Sequence, residues 1–135
     1  MITQYMTGIQ HIGIPTNDME KTIAFYHGLG FETAHENVIP DSGDRVAFLK
    51  YGNLVIETYE NHQAVEKNGA IDHIAIDVTD VDAIYAELKK AGYQILDEGV
   101  QSLPFWANGV RFFTILGPNK EKVEFNEISE NFPAV

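Results

Sequence analysis

The sequence predicts an α+β protein made of two tandem βαβββ modules, residues 1–64 and 65–135, whose eight strands form an open, barrel-like cleft. Three observations predict it. Sliding the chain by 62 positions lays "IQHIGI" (9–14) on "IDHIAI" (71–76) without a gap, and the same offset carries Asp18 onto Asp80, Gly30 onto Gly92 and Phe31 onto Tyr93. Each copy changes period in the same order, from strand-like alternation to helical spacing and back. Turn-forming clusters then divide the remainder of each copy into short β-rich runs. A match that persists through a polar turn, a helix and a helix-ending glycine marks a duplicated unit, not one chance strand.

The elements follow in order. A first strand ends at Pro15, and Asn17 with Glu20 has the spacing of a capping box, in which two side chains satisfy the free N–H groups of a helix start. The helix runs through Ile23, Phe25 and Tyr26 and stops near Gly28 or Gly30, since glycine tolerates the left-handed conformation at a helix end. In the second copy Val81, Ile84, Tyr85 and Leu88 fall at i, i+3, i+4 and i+7, and Gly92 closes the helix. Strands are expected at "FETAHE", "RVAFLKY" and "LVIETY" in the first half and at "YQILDE", "VRFFTIL" and "KVEFNEI" in the second. "ENHQAVEKNGA" reads as the linker between copies, and the tail "SENFPAV" as loosely held.

Composition narrows the function. With 135 residues, 44% of them hydrophobic, the chain can bury one ordinary core or a pair of small modules. Nine Lys and Arg against twenty Asp and Glu, a formal charge of −11, disfavour nucleic acid, whose affinity comes largely from cationic side chains releasing counterions. No cysteine is present, so any metal must be held by nitrogen and oxygen. No stretch approaches the ~20 apolar residues of a membrane span, and the N-terminus lacks the basic and apolar regions of a signal peptide. A protein of the cytoplasm, without membrane or nucleic-acid partners, is the expectation.

Alternation places His11 and Gly13 on one face of the first strand against Ile12 and Ile14, and His73 and Ala75 against Ile74 and Ile76. The last strand of each copy sets a carboxylate among apolar residues: Glu57 beside Ile56, and Glu124 between Val123 and Phe125. Taken singly, each reads most simply as an exposed or satisfied polar position. Taken together, His11, Glu57, His73 and Glu124 recur once per copy, 46 residues apart in the first and 51 in the second. Two imidazoles and two carboxylates make an N₂O₂ set suited to one divalent ion such as Zn²⁺ or Ni²⁺. Arg45 and Arg111 each precede the third strand of their copy; they read either as clamps for a substrate carboxylate or as surface ion pairs. Phe105 and Trp106, in "SLPFWANG", read either as cover for an apolar part of a ligand or as packing against a second subunit. His27, His35 and His62 have no counterpart and read as solvated.

With "QHIGI", "DHIAI", "AFYHGLGF" and the final "GPNKEKVEF" the chain resembles the vicinal oxygen chelate (glyoxalase/bleomycin resistance/dioxygenase) superfamily from Ile9 to about Glu127. The order His, Glu, His, Glu is most similar to the lactoylglutathione lyases, also called glyoxalase I. Gly117 and Lys120 depart from the usual ending, outside the candidate ligands. The resemblance implies a glyoxalase-type fold and a metal-dependent lyase or isomerase acting on the hemithioacetal of a 2-oxoaldehyde and a thiol. It implies proton transfer through an enediolate, with Glu124 as base and Glu57 as second shuttle or permanent ligand, and a homodimer taking a small-molecule substrate. The alternatives are an epimerase acting beside a thioester, a thiol transferase, and a non-catalytic drug-binding module.

Overall fold

The structure, a computed structural model, describes residues 1–129; the segment of the predicted tail beyond 129 lies outside the described residues. The chain forms two compact units, Met1–Val65 and Glu66–Val135. The first holds a short 3-10 turn at Ile2–Tyr5, then β1 (Ile12–Pro15), α1 (Met19–Gly28), β2 (Glu32–Val38), β3 (Arg45–Tyr51) and β4 (Leu54–Tyr59). The second holds β5 (His73–Asp77), α2 (Val81–Lys90), β6 (Gln101–Leu103), β7 (Val110–Leu116) and β8 (Lys122–Ile128). Each unit is therefore βαβββ. The strands make two four-stranded sheets, ordered β1-β4-β3-β2 and β5-β8-β7-β6, and neither closes into a barrel. Among the described residues no helix is long and apolar enough to cross a membrane.

This topology brings distant residues together. The first strand of each unit pairs in parallel with the last, Gly13 opposite Glu57 and Ala75 opposite Glu124, while the other pairings are antiparallel. The helix in between is the crossover that a parallel pair requires. One face of each sheet packs on its own helix. In the first unit Met19, Thr22 and Tyr26 of α1 are buried, as are Ala47, Leu49, Ile56 and Thr58 of the sheet, and the Tyr26 ring meets Phe31 edge to face at 5.2 Å. In the second, Val81 and Leu88 of α2 are buried with Phe113, Ile115, Val123 and Phe125, and the Phe113 ring stacks on Phe125 at 5.2 Å. Because side chains alternate, residues between these buried positions, Glu57 and Glu124 among them, point to the other face.

Three expectations are corrected. The cap of α1 is Asp18, whose carboxylate accepts from the Lys21 N–H at 3.1 Å; Asn17 instead clasps the backbone of Ala64, and Glu20 pairs with Arg45. Asp80 caps α2 in the same way, accepting from Ala83 N–H at 3.0 Å. The strand expected at "YQILDE" contracts to a single bridge between Ile95 and Ile115, and β6 forms later, at Gln101–Leu103. The Asp97 carboxylate takes the Thr114 N–H at 2.8 Å, so the donor that would extend a ladder there is already used. The polar linker also carries structure at its start. Glu60 accepts the N–H of Met19, the first residue of α1, at 2.6 Å, and Glu127 accepts that of Val81, the first of α2, at 2.9 Å.

Glu60 and Glu127 each satisfy an orphan donor of a helix start and set a negative charge against the positive end of its dipole. Glu60→Ala and Glu127→Ala are expected to lose about 1–2 kcal/mol of stability each, the cost of an uncapped, part-buried N–H. Urea melts of the single variants check this; unshifted midpoints would assign these carboxylates no structural role.

Candidate metal centre

His11 stands one residue before β1 and His73 opens β5, so both lie at the entry of the strand that pairs with the last strand of its unit. In the first unit His11 Nε2 lies 3.5 Å from Glu57 Oε1; in the second His73 Nε2 lies 3.8 Å from Glu124 Oε1. The side chains of His11 and Glu57 are 33% and 28% exposed, and those of His73 and Glu124 are 44% and 14% exposed, so each pair is open to a ligand and Glu124 is the most enclosed group.

The other ring nitrogens decide what the pairs offer. Nδ1 of His11 lies 3.0 Å from Gln10 Oε1, and Nδ1 of His73 lies 2.9 Å from Asp72 Oδ2. The ionised Asp72 carboxylate can only accept, so Nδ1 of a neutral His73 donates and its Nε2 presents a bare lone pair to Glu124; with the Gln10 oxygen toward its ring, His11 does the same toward Glu57. Two acceptors then oppose each other at a distance too long for a good hydrogen bond. A tetrahedral ion with bonds of ~2.1 Å to nitrogen and oxygen holds neighbouring donors roughly 3.4 Å apart, close to the His11–Glu57 spacing. The donor set thus fits a divalent cation. Within the described residues no group of three or more His, Asp or Glu side chains is placed to hold an ion, and each unit by itself holds one His–Glu pair.

Neighbouring side chains hold the pairs in place. Asn126 Nδ2 donates to Glu124 Oε2 at 3.0 Å, leaving Oε1 toward His73. The Phe48 ring meets His11 edge to face at 5.7 Å. Gly13 leaves open the space beside Glu57, where a Cβ would come 3.8 Å from Glu57 Oε1 and from the Tyr59 hydroxyl. Asp72 is held below the ordinary aspartate range, first by its hydrogen bond with His73 and next by Lys122.

Other expected site residues lie elsewhere. Arg45 Nη1 reaches Glu20 at 2.6 Å, and Arg111 grips Asp82 through two bonds of 2.5 and 2.8 Å, so each arginine ties the third strand to the start of its own helix. Arg111 is opposite Glu127 in register, on the face that carries the helix cap, not the Glu124 face. Phe105 and Trp106 are 56% and 71% exposed, and Trp106 adopts φ 62°. Trp106 lines a shallow cavity of about 550 Å³ with Ser102, Pro104, Asn108, Arg111 and Ser129, and none of the four candidate ligands borders it. His27, His35 and His62 are exposed, as expected of solvated histidines; His27 Nε2 lies 2.9 Å from Thr33 Oγ1 and the His35 ring 6.0 Å from Phe48. Sequence reading missed Gln10, Asp72 and Asn126, although the first two share one signal, a polar residue preceding each histidine.

Duplicated βαβββ units, each setting a histidine beside a glutamate, define a class of α+β proteins built from two tandem modules. The chain belongs to the glyoxalase/bleomycin resistance protein/dioxygenase superfamily, whose profile matches residues 8–125. It is 31% identical over 124 residues to the uncharacterized protein YwbC of Bacillus subtilis, covering 87% of this chain and 94% of that one. It is 33% identical over 101 residues to an ethylmalonyl-CoA/methylmalonyl-CoA epimerase of Cereibacter sphaeroides, covering 67% and 75%. Among solved structures, a glyoxalase family protein from Enterococcus faecalis superposes with a TM-score of 0.76 at 24% identity, covering 91% of this chain and 99% of that one. The trypanothione-dependent glyoxalase I of Leishmania major gives 0.72 at 24% identity, covering 89% and 86%. The fosfomycin resistance protein FosX of Listeria monocytogenes, solved with Mn(II), gives 0.71 at 19% identity, covering 93% and 95%. These structural likenesses establish the fold.

Proposed function

We propose that this protein is a metal-dependent isomerase that moves the proton on a carbon beside a thioester carbonyl, with 2-alkylmalonyl-CoA as substrate class. In this reading His11, Glu57, His73 and Glu124 together hold one divalent ion. The observation that carries it is the repeated pairing of an imidazole Nε2 with a carboxylate oxygen, at 3.5 Å in one unit and 3.8 Å in the other. Each pair supplies two donors, fewer than a four-coordinate ion requires, so the site draws on both, within one chain or across a homodimer. FosX, which was solved with Mn(II), has the same fold.

A divalent ion held by these residues would supply Lewis-acid charge, which favours loss of a proton from the carbon beside the carbonyl. Glu124 takes that proton: it is the most enclosed of the four side chains, and Asn126 keeps its Oε1 aimed into the site. Glu57 of the other unit, entering the step as the protonated acid, returns a proton to the carbon and is left ionised while Glu124 is left protonated; exchange with solvent restores both. Two acids from two units allow a proton to leave to one group and come back from another, which inversion of a carbon centre requires. The relative that is 33% identical, an epimerase of this substrate class, favours the thioester.

A second reading, isomerisation of a 2-oxoaldehyde–thiol hemithioacetal, is favoured by Glu57, which completes the His, Glu, His, Glu order. One experiment separates the two. The protein, loaded in turn with Ni²⁺, Zn²⁺ or Mn²⁺, is incubated in D₂O with methylmalonyl-CoA, and in parallel with methylglyoxal and several thiols. Loss of the α-proton signal from the thioester, abolished by chelation, is the expected result. Turnover of methylglyoxal with a thiol alone would transfer the assignment to the second reading, and no exchange in either would overturn both.

A further inference from the structure

We propose that Asp72 is a positioning residue for His73: its carboxylate admits only the tautomer that turns the Nε2 lone pair toward Glu124. The inference deepens the metal reading and rests on it for its functional consequence, though not for its structural content.

The two histidines are backed by chemically different residues. Asp72 Oδ2 lies 2.9 Å from His73 Nδ1, while its Oδ1 accepts from Asn68 Nδ2 at 2.8 Å and lies 3.5 Å from Lys122 Nζ. Lys122 is the register partner of His73 itself, so the strand pairing that presents the imidazole also delivers the cation that holds its backing carboxylate. An ionised carboxylate has no proton to give, and a neutral His73 facing it must carry its hydrogen on Nδ1. The first unit has Gln10 at the matching position, its Oε1 3.0 Å from His11 Nδ1. An amide can turn either its oxygen or its NH₂ to the ring, so Gln10 accommodates both tautomers of His11. The second unit therefore presents a preset nitrogen ligand, while His11 selects its tautomer when a cation arrives. Outer partners of this kind orient a metal-ligating imidazole and raise its basicity.

The test reads the tautomer without metal. Long-range ¹H–¹⁵N spectra of the metal-free full-length chain, at a pH where both imidazoles are neutral, are expected to show His73 as a single Nδ1–H form and His11 as a mixture. Asp72→Ala converts His73 to a mixture, and Asp72→Asn, which restores an amide like Gln10, gives an intermediate population. Zinc affinity, measured by competition with a chromogenic chelator, falls roughly tenfold in Asp72→Ala, the lower end of the 10–100-fold typical of outer partners, since the network is solvent-exposed. Asp72→Asn recovers part of it. A His73 tautomer ratio that is the same in wild type and Asp72→Ala overturns the proposal. A wild-type protein that takes up no metal overturns the functional reading, and the tautomer ratio still decides the role of Asp72.

Discussion

Glu124→Gln lowers turnover by about 10²- to 10⁴-fold, the usual contribution of a positioned general base. Glutamine preserves the volume of the side chain and an oxygen for Asn126, but it cannot take up a proton at neutral pH. The variant is therefore expected to fold as wild type and to retain part of its metal, with turnover per bound metal lowered by the loss of the base. Deuterium exchange into the substrate α-carbon gives the rate, and elemental analysis of the purified protein gives the metal content. Undiminished turnover in Glu124→Gln would move the proton-abstracting role to Glu57, for which the matching Glu57→Gln variant is the direct comparison.

His73→Ala removes a donor instead of a base, and its effect appears first in binding. Metal affinity is expected to fall by more than the 10–100-fold that an outer partner contributes, because a direct ligand is lost. Turnover at ordinary metal concentration disappears with it and returns in part with excess cation. Stability of the metal-free chain changes little, since the His73 side chain is 44% exposed and its recorded partners are Asp72 and Glu124. Chelator competition checks the affinity, and His27→Ala, at a histidine bonded to Thr33 away from the pairs, serves as the control that leaves it unaltered. Equal affinities in wild type and His73→Ala would remove His73 from the ligand set.

The duplication was legible because it is written in side-chain character: a histidine among isoleucines, an aspartate at the helix start and a glycine at its end recur at one offset. The four residues were legible as candidates because a histidine and a glutamate recur once per copy; that each histidine stands beside its own unit's glutamate comes from the parallel pairing of first and last strand, which the residue pattern does not state. What stayed hidden depended on competition between equivalent partners. Asn17 and Asp18 are both good caps, and only the folded chain shows that Ala64 claims the first. Glu60 reads as part of a polar linker until the helix start arrives beside it. "YQILDE" has strand-forming residues, but the Asp97 side chain takes the backbone donor that a longer ladder would use. Gln10 and Asp72 reveal their roles only through the orientation of an adjacent ring, which strand alternation does not encode.

Each unit sets two carboxylates three residues apart, Glu57 on β4 with Glu60 just past its end and Glu124 with Glu127 on β8, one facing its histidine and the other closing its helix. Between them lie core residues such as Thr58 and Phe125. Evolutionary latitude is correspondingly uneven: along Val123–Glu127 the hydrophobic interior, the chemistry and the helix start each claim positions, leaving little neutral ground for drift. Variation among homologues is expected to concentrate instead on β2 and β6, whose residues are exposed throughout, so divergence in specificity there carries the least risk of unfolding the scaffold.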